Sequence, residues 1–272
     1  MNHDDLATAL SDIDGEVRLA AIRDVADNPN VPLADSAMDA LLQCLAANRK
    51  VIQRRAAEAL AVSAAHDFRI VQKLRTMLSH HDPRARWGAA YALGLVASDD
   101  ALDLPALPTL FEALAGNDGD VRWAAAELVV RLGKQHRETV SHALIGLARD
   151  GNLNARKMAL YCLRDVGGPH EELLAVAESC AADHSSILKM ATLSLVPRIA
   201  DSGDRAAALA IRLLENDPDA GVRRCAAVAL GHIGHRAPRV IEALTRAIQI
   251  EGDIYMKRAA EGALTRLGVQ HA

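Results

Sequence analysis

The stretch that decides the fold is residues 221–234, which read GVRRCAAVALGHIG. Residues 120–133, DVRWAAAELVVRLG, are a near copy, and residues 85–93, ARWGAAYAL, are a shorter one. Each copy has a basic residue near its start, and aligning on it extends the series along the chain at intervals of 33 to 36 residues. So steady a period is typical of a solenoid of repeated helix pairs. We call the aligned positions the basic column: Arg18, Gln53, Arg86, Arg122, Arg156, Lys189, Arg223 and Lys257.

Each copy predicts an amphipathic helix, which we call helix B. Apolar residues recur three, six, seven and ten positions after the basic column, as at Ala89, Ala92, Leu93 and Val96. At about 100° per residue these positions lie on one narrow stripe of a helix. Most of the stripe is small, so neighbouring helices can approach closely.

A second helical pattern, helix A, precedes each copy. The repeats begin with a short helix A over 4–10 and a helix B over 16–26. The later A helices are predicted at 35–45, 68–78, 139–148, 171–181, 205–214 and 239–248.

The turn between the two helices carries acidic residues four or six positions before the basic column. We expect them to cap helix B and to pair with the basic residue of their own or the next repeat. The column therefore reads as a structural ladder rather than as a set of ligand contacts. The acids are Asp12, Asp14, Asp82, Asp118, Asp150, Asp183, Asp217, Asp219 and Asp253.

Glycine and proline mark the ends and bends of the predicted helices. Gly133, Gly167, Gly234 and Gly268 are predicted at left-handed turns after a helix B. Pro197 lies inside helix B of the sixth repeat by register, where we expect a local bend of the helix; the alternative is a change in solenoid curvature that shapes the binding surface.

The pattern Asp…Val-Arg-x-x-Ala-Ala…Leu…Leu-Gly resembles the HEAT repeat, in particular the variant found in phycobilisome lyases. The resemblance covers nearly the whole chain, although Gln53 and Thr192 depart from the pattern. It implies an all-α, right-handed α-solenoid of about eight helix pairs, whose concave face is lined by the second helices. We expect one domain over 1–272, with repeats at 1–28, 33–65, 67–98, 103–134, 136–168, 169–202, 203–235 and 236–270.

Composition favours a cytoplasmic protein without a membrane span. The net charge is −4, which gives no overall attraction to nucleic acid or to an anionic membrane. The four cysteines form no Cys-x-x-Cys pair, and by register Cys162 and Cys225 should be buried core residues. The acidic start of the chain is unlike a secretion signal, and no run of eighteen apolar residues occurs.

The face of helix B opposite the buried stripe is the candidate binding surface. Both tryptophans and two of the three tyrosines fall on it, and it carries more basic than acidic residues. Exposed aromatic residues suit binding hot spots, and the cations would steer an acidic partner. The alternative is that the aromatic rings pack against neighbouring helices and the arginines extend over an alanine-rich surface. The predicted partner-binding residues are Trp87, Tyr91, Trp123, Glu127, Arg131, Lys157, Tyr161, Arg164, Arg198 and Arg224.

These patterns favour a scaffold, adaptor or assembly factor that binds an acidic or aromatic protein segment, with no catalytic residue, cofactor or metal. The histidine groups His80-His81 and His232-x-x-His235 lack a third ligand nearby in sequence, and the single His170-Glu171 pair is unlike the repeated pairs of HEAT-like iron hydroxylases. A bilin-lyase-like chaperone or enzyme, or a DNA-glycosylase-like nucleic-acid binder, is the alternative. The chain should be a monomer or an end-to-end dimer.

Overall fold

The computed structural model describes residues 3–98, 100–202 and 204–269. These residues form sixteen α-helices and contain no β-strand, so the predicted all-α class is confirmed. Short 3₁₀ helices lie at Cys44–Ala46, Leu104–Ala106 and Val196–Ser202. In chain order the α-helices are α1 (His3–Leu10), α2 (Gly15–Asp27), α3 (Asp35–Gln43), α4 (Lys50–Ser63), α5 (Phe68–Met77), α6 (Pro83–Leu95), α7 (Leu107–Ala115), α8 (Gly119–Gln135), α9 (Arg137–Asp150), α10 (Leu153–Val166), α11 (His170–Ala181), α12 (Ser186–Leu195), α13 (Asp204–Asn216), α14 (Ala220–Ile233), α15 (Pro238–Ile250) and α16 (Ile254–Arg266).

The helices alternate as helix A and helix B along the chain. Each odd-numbered helix is a helix A, and the even-numbered helix after it is a helix B with the basic column near its start. The ranges predicted from periodicity agree with the observed bounds to within two residues at each end. The division of the chain into eight repeats within one domain stays a prediction.

The chain forms two compact units, each of which has two layers. The first unit contains residues 3–113 and Trp123–Leu132, and the second contains Leu114–Arg122 and the residues from Gly133 onward. In the first, α4 packs between α2 and α6, while α3 packs on α1. In the second, α12 packs between α10 and α14, and α14 packs on α16; the A helices α9, α11, α13 and α15 pack in the same succession. Within each unit, these B helices thus contact their own A helices and the B helices of neighbouring repeats.

Alanine supplies much of the contact between these layers. Ala56 and Ala57 in α4 are fully buried, as are Ala226 and Ala227 in α14. Because these side chains are small, the helix axes can approach closely. The van der Waals contacts between neighbouring helices then come from closely packed backbones rather than from large side chains.

Aspartate caps begin most of the B helices, as predicted. Asp14, Asp82, Asp219 and Asp253 each accept a hydrogen bond from the backbone N–H two residues later, at 2.7 to 2.9 Å. These bonds satisfy N–H groups that have no partner within the helix. The exceptions are α10 and α12, which are capped by Asn152 and Ser185, and α4, which has no side-chain cap. Asp150, predicted to be in the turn, is instead the last residue of α9.

The basic column joins neighbouring repeats, but not in the predicted direction: each acid pairs with the basic residue of the preceding repeat, not of its own or the next one. Arg156 pairs with Asp183 at 2.8 Å, and Lys189 pairs with Asp217 at 2.7 Å. Each acid lies in the turn of the next repeat. Other column residues bind the end of their own helix A, as when Arg122 donates to the Gly116 carbonyl at 2.9 Å. The column is therefore used to join helices.

Two predictions about helix ends need correction. Gly167, Gly234 and Gly268 have positive φ, as predicted, but Gly133 lies inside α8. A Cβ on Gly133 would lie 2.5 Å from a Val166 methyl group, so the glycine permits close packing rather than a turn.

Pro197 does not bend an α-helix: α12 ends at Leu195 and the chain continues as 3₁₀ helix, with a break at Ile199 (φ −110°, ψ 16°). Because proline has no N–H, the α-helical bond to the fourth preceding carbonyl cannot form there.

Cys225 is the third correction. Cys162 is 1% exposed, as predicted, whereas Cys225 is only half-buried. It lies two positions after the basic column, at the edge of the buried stripe, and its side chain reaches the surface groove described below.

Candidate partner-binding surface

The aromatic residues predicted to bind a partner in the first unit are accessible to solvent. The Trp87 and Tyr91 rings, one turn apart on α6, have centroids 5.6 Å apart and are tilted by 31°. Both are half-buried, whereas Trp123 on α8 is 54% exposed. An aromatic ring that is half exposed before binding has apolar area left for a partner to cover.

The two charged residues predicted beside these rings differ in their exposure to solvent and in their hydrogen bonding. Glu127 is exposed. Arg131 is half-buried, and its Nη1 donates to the Gly94 carbonyl at 2.6 Å. Gly94 leaves room for the neighbouring helix, because a Cβ there would lie 2.4 Å from a Leu128 methyl group. Arg131 therefore links α8 to α6 as well as lying on the predicted surface.

In the second unit, Tyr161, Arg164 and Asp165 form a small polar cluster on α10. The Arg164 guanidinium lies 5.7 Å from the Tyr161 ring centroid and bonds both carboxylate oxygens of Asp165 at 2.8 and 2.9 Å. The hydrogen bond from Arg164 lowers the pKa of Asp165, and burial raises the pKa of Tyr161. Lys157, also on α10, has its pKa lowered by burial and by the charge of Arg122.

A groove on the B helices of the second unit gathers three of the predicted cations. It has a volume of about 790 Å³ and runs across α10, α12, α14 and α16. We call it the basic groove. It is lined by Arg164, Met190, Leu193, Ser194, Pro197, Arg198, Arg224, Cys225, Val228, Ala229, His232, Tyr255, Arg258 and Ala259.

The basic groove combines predicted residues with others that sequence reasoning did not select. Arg198 and Arg224 are exposed, and Arg164 is half-buried. Tyr255, which is 63% exposed, was missed because it precedes Lys257 and so falls outside the positions taken to form the binding face. Pro197 and Cys225 were assigned to the helix interior. The sequence feature that could have identified Tyr255 is its position two residues after Asp253. Asp253 caps α16, which places Tyr255 in the first turn of that helix.

The ten predicted residues are divided between the two units. Trp87, Tyr91, Trp123, Glu127 and Arg131 belong to the first unit, and Lys157, Tyr161, Arg164, Arg198 and Arg224 belong to the second. None of the ten is buried. Their role in binding stays a prediction.

The repeat pattern and the helix pairs are matched by a family model. Residues 38–128 and 196–265, more than half of the chain, match the model described as HEAT repeats. The chain belongs to the HEAT-repeat family. The resemblance inferred from the basic column is thereby confirmed.

Solved structures match this chain at low sequence identity. Kap121p bound to Pho4p matches with a TM-score of 0.69 and 13% identity over 97% of this chain and 34% of Kap121p. An engineered protein matches with a TM-score of 0.50 and 20% identity over 98% of this chain and 79% of its own. The match to human deoxyhypusine hydroxylase has a TM-score of only 0.40, with 19% identity over 97% and 95% of the two chains. The likeness to Kap121p establishes an α-solenoid, and this HEAT-repeat chain spans about a third of the Kap121p chain.

No curated protein matches this HEAT-repeat chain. In the described residues, no group of three or more His, Cys, Asp or Glu side chains is placed to hold a metal ion. The His80 and His81 rings, 4.2 Å apart, contact each other, and His80 Nδ1 accepts a hydrogen bond from the Asp82 backbone N–H. No helix in the described part of the chain has the length and apolar character needed to cross a membrane.

Proposed function

We propose that this HEAT-repeat protein is a non-enzymatic scaffold, adaptor or assembly factor in the cytoplasm, and that it binds a protein partner on the face of its B helices opposite the buried stripe. The observation that carries the proposal is the accessibility of Trp87, Tyr91 and Trp123 on that face. Large aromatic side chains that are not needed to fill the core are the residues that most often dominate protein interfaces.

Charge on the second unit supports a partner with acidic segments. Arg164 and Arg224 lie on B helices and Arg198 in the 3₁₀ helix after α12, although the chain as a whole carries a net charge of −4. Such local cations raise the rate of encounter with an acidic partner and select against basic ones.

The test is capture of partners from host lysate by the wild type and by a Trp87→Ala/Trp123→Ala variant. Phe68→Ala is the matched control, because Phe68 is 71% exposed but lies at the start of an A helix. We expect a protein that the wild type and the control retain and the double variant loses. With that protein purified, truncating a central anchor should weaken binding by about 2 kcal/mol or more.

Two results would overturn the proposal. Unfolding of Trp87→Ala would show that the indole belongs to the core, so melting curves accompany every capture. Recovery of nucleic acid, a tetrapyrrole pigment or a metal in place of a protein would instead favour the glycosylase-like or lyase-like alternatives.

Light scattering on the purified chain separates the predicted monomer from an end-to-end dimer.

A further inference from the structure

The basic side chains of the groove form two rows along the second unit. Arg224 and Arg258 lie one position after the basic column, whereas Arg164, Arg198 and His232 lie eight or nine positions after it. Equivalent positions in successive repeats lie on successive B helices, or for Arg198 in the 3₁₀ helix that follows α12. Each row therefore advances by one repeat from one basic side chain to the next.

The surface between the two rows is mostly apolar. Leu193, Val228, Ala229 and Ala259 line it, Met190 takes the first row's position on α12, and Tyr255 also lines the groove. An occupant must therefore offer acidic groups to the rows and apolar groups to the floor, because a polar group placed on the floor would lose its hydration without a partner.

The cations of the groove outnumber the carboxylates beside it. Asp165 binds Arg164, but none of the described residues that line the groove is acidic. Within the described part of the chain, Arg224 and Arg258 form no ion pair. Charge complementarity thus calls for carboxylates supplied by another molecule.

The spacing of the rows selects the conformation of that molecule. Packed helices lie about 8–10 Å apart. A polyproline II segment rises about 3.1 Å per residue with three residues per turn, so every third side chain points the same way, roughly 9 Å further along. We propose that the basic groove binds an extended acidic peptide segment with a carboxylate at every third residue and apolar residues between. This inference deepens the proposed function and rests on it.

A peptide fits these residues better than a nucleic acid does. Single-stranded nucleic acids are held by stacking successive bases on aromatic side chains, whereas among the described residues that line the groove only Tyr255 and the His232 imidazole offer a ring. The aliphatic floor suits leucine-sized or proline side chains. The net charge of −4 also opposes a long polyanion more than a short acidic segment.

The experiment measures binding of fluorescein-labelled peptides to the full chain by fluorescence anisotropy. The first probe is a twelve-residue repeat of Glu-Pro-Leu. The second has the same composition with its glutamates in one block, and the third has lysine in place of glutamate. We expect the first to bind, the second to bind several-fold more weakly and the third not to bind, with affinity for the first falling as salt is added.

Arginine variants locate the site. Arg198→Ala/Arg224→Ala should weaken binding of the first probe by at least about tenfold. The matched control is Arg212→Ala/Arg239→Ala, which removes two exposed cations from A helices of the same unit and should leave binding unchanged. Circular dichroism confirms folding of each variant, and the three-peptide comparison on the wild type needs no variant.

Several outcomes would overturn the inference. The first is equal affinity for the patterned and the block peptide. The second is an equal loss of affinity for the first probe in the Arg198/Arg224 and Arg212/Arg239 variants. The third is tighter binding of labelled single-stranded oligo(dT) than of any peptide. The proposed function fails separately: if the first probe does not bind but a partner is still captured through Trp87 and Trp123, the scaffold stands and only the occupant of the basic groove is wrong.

Discussion

At the scale of the residue, burial separates side chains that hold the fold from those that face solvent. Leu93 and Leu95 are two positions apart on α6, yet Leu93 is 1% exposed and Leu95 is 40% exposed. Leu93→Ala should lower the free energy of unfolding by about 2–5 kcal/mol, because it leaves a cavity in a packed core. Leu95→Ala should cost less than about 1 kcal/mol. Urea denaturation of both variants checks this, and equal losses would mean that the two layers repack freely around α6.

A second prediction concerns the ladder between repeats. Asp217 is almost fully buried and binds Lys189 at 2.7 Å, whereas the Arg246–Glu215 pair is largely exposed. Lys189→Met keeps the aliphatic chain but leaves a buried carboxylate without its cation. It should cost roughly 3 kcal/mol.

The exposed pair provides the control for that prediction. Arg246→Met should cost less than about 1 kcal/mol, since water replaces the partner of Glu215. Urea denaturation gives both values at neutral pH. A Lys189 variant as stable as the Arg246 variant would show that the ladder contributes nothing to stability.

At the scale of the element, glycines in two neighbouring helices have opposite roles. A Cβ on Gly231 of α14 would lie 2.8 Å from Ala263 Cα, whereas nothing lies within 4 Å of the equivalent point on Gly262 of α16. Gly231→Ala should destabilise the protein by about 1–3 kcal/mol through overpacking. Gly262→Ala should stabilise it by about 0.5–1 kcal/mol, because alanine favours the helix.

The two substitutions are compared by thermal or urea unfolding in the same buffer. Their chemistry is identical and both lie in helices of the second unit, so helix propensity alone predicts the same sign for both. Opposite signs would locate the close contact between α14 and α16, and a stabilised Gly231→Ala would contradict it.

At the scale of the whole molecule, the inter-helix turns predict the response to acid. Backbone N–H groups that donate to Asp82, Asp183, Asp219 and Glu251 are the main cause of a lowered pKa at each of these carboxyls. A carboxyl whose pKa is lower in the folded than in the unfolded state stabilises the fold above its unfolded pKa of about 4. That stability is lost as pH falls through the lower folded pKa.

We therefore expect the urea concentration at the unfolding midpoint to stay constant near neutral pH and to decrease once the pH is below about 4. Asp219→Asn keeps a side chain that can cap α14 but removes one titrating group, so its midpoint should fall less steeply. If the urea midpoint of the variant fell with pH as steeply as that of the wild type, Asp219 would not contribute to the loss of stability in acid.

The sequence by itself determined the repeat and much of its local structure. The period of the basic column and the apolar stripe set seven A helices and the first B helix to within two residues, because these signals lie within one or two turns of the residues that they position. The same alignment identified the acids and bases of the ladder, but not that each acid pairs with the preceding repeat. It also placed Arg198 and Arg224 on an accessible face.

The tertiary structure alone decided features that depend on residues about thirty positions apart. Gly133 stays inside α8 because Val166 packs against it, and Arg131 is drawn to the Gly94 carbonyl. The basic groove joins Tyr255 and Cys225 to Arg164 and Arg198, which come from two other repeats. A periodic pattern specifies which face of a helix is apolar, but the contacts on that face depend on how closely successive helices pack, and that distance is set by the side chains of both.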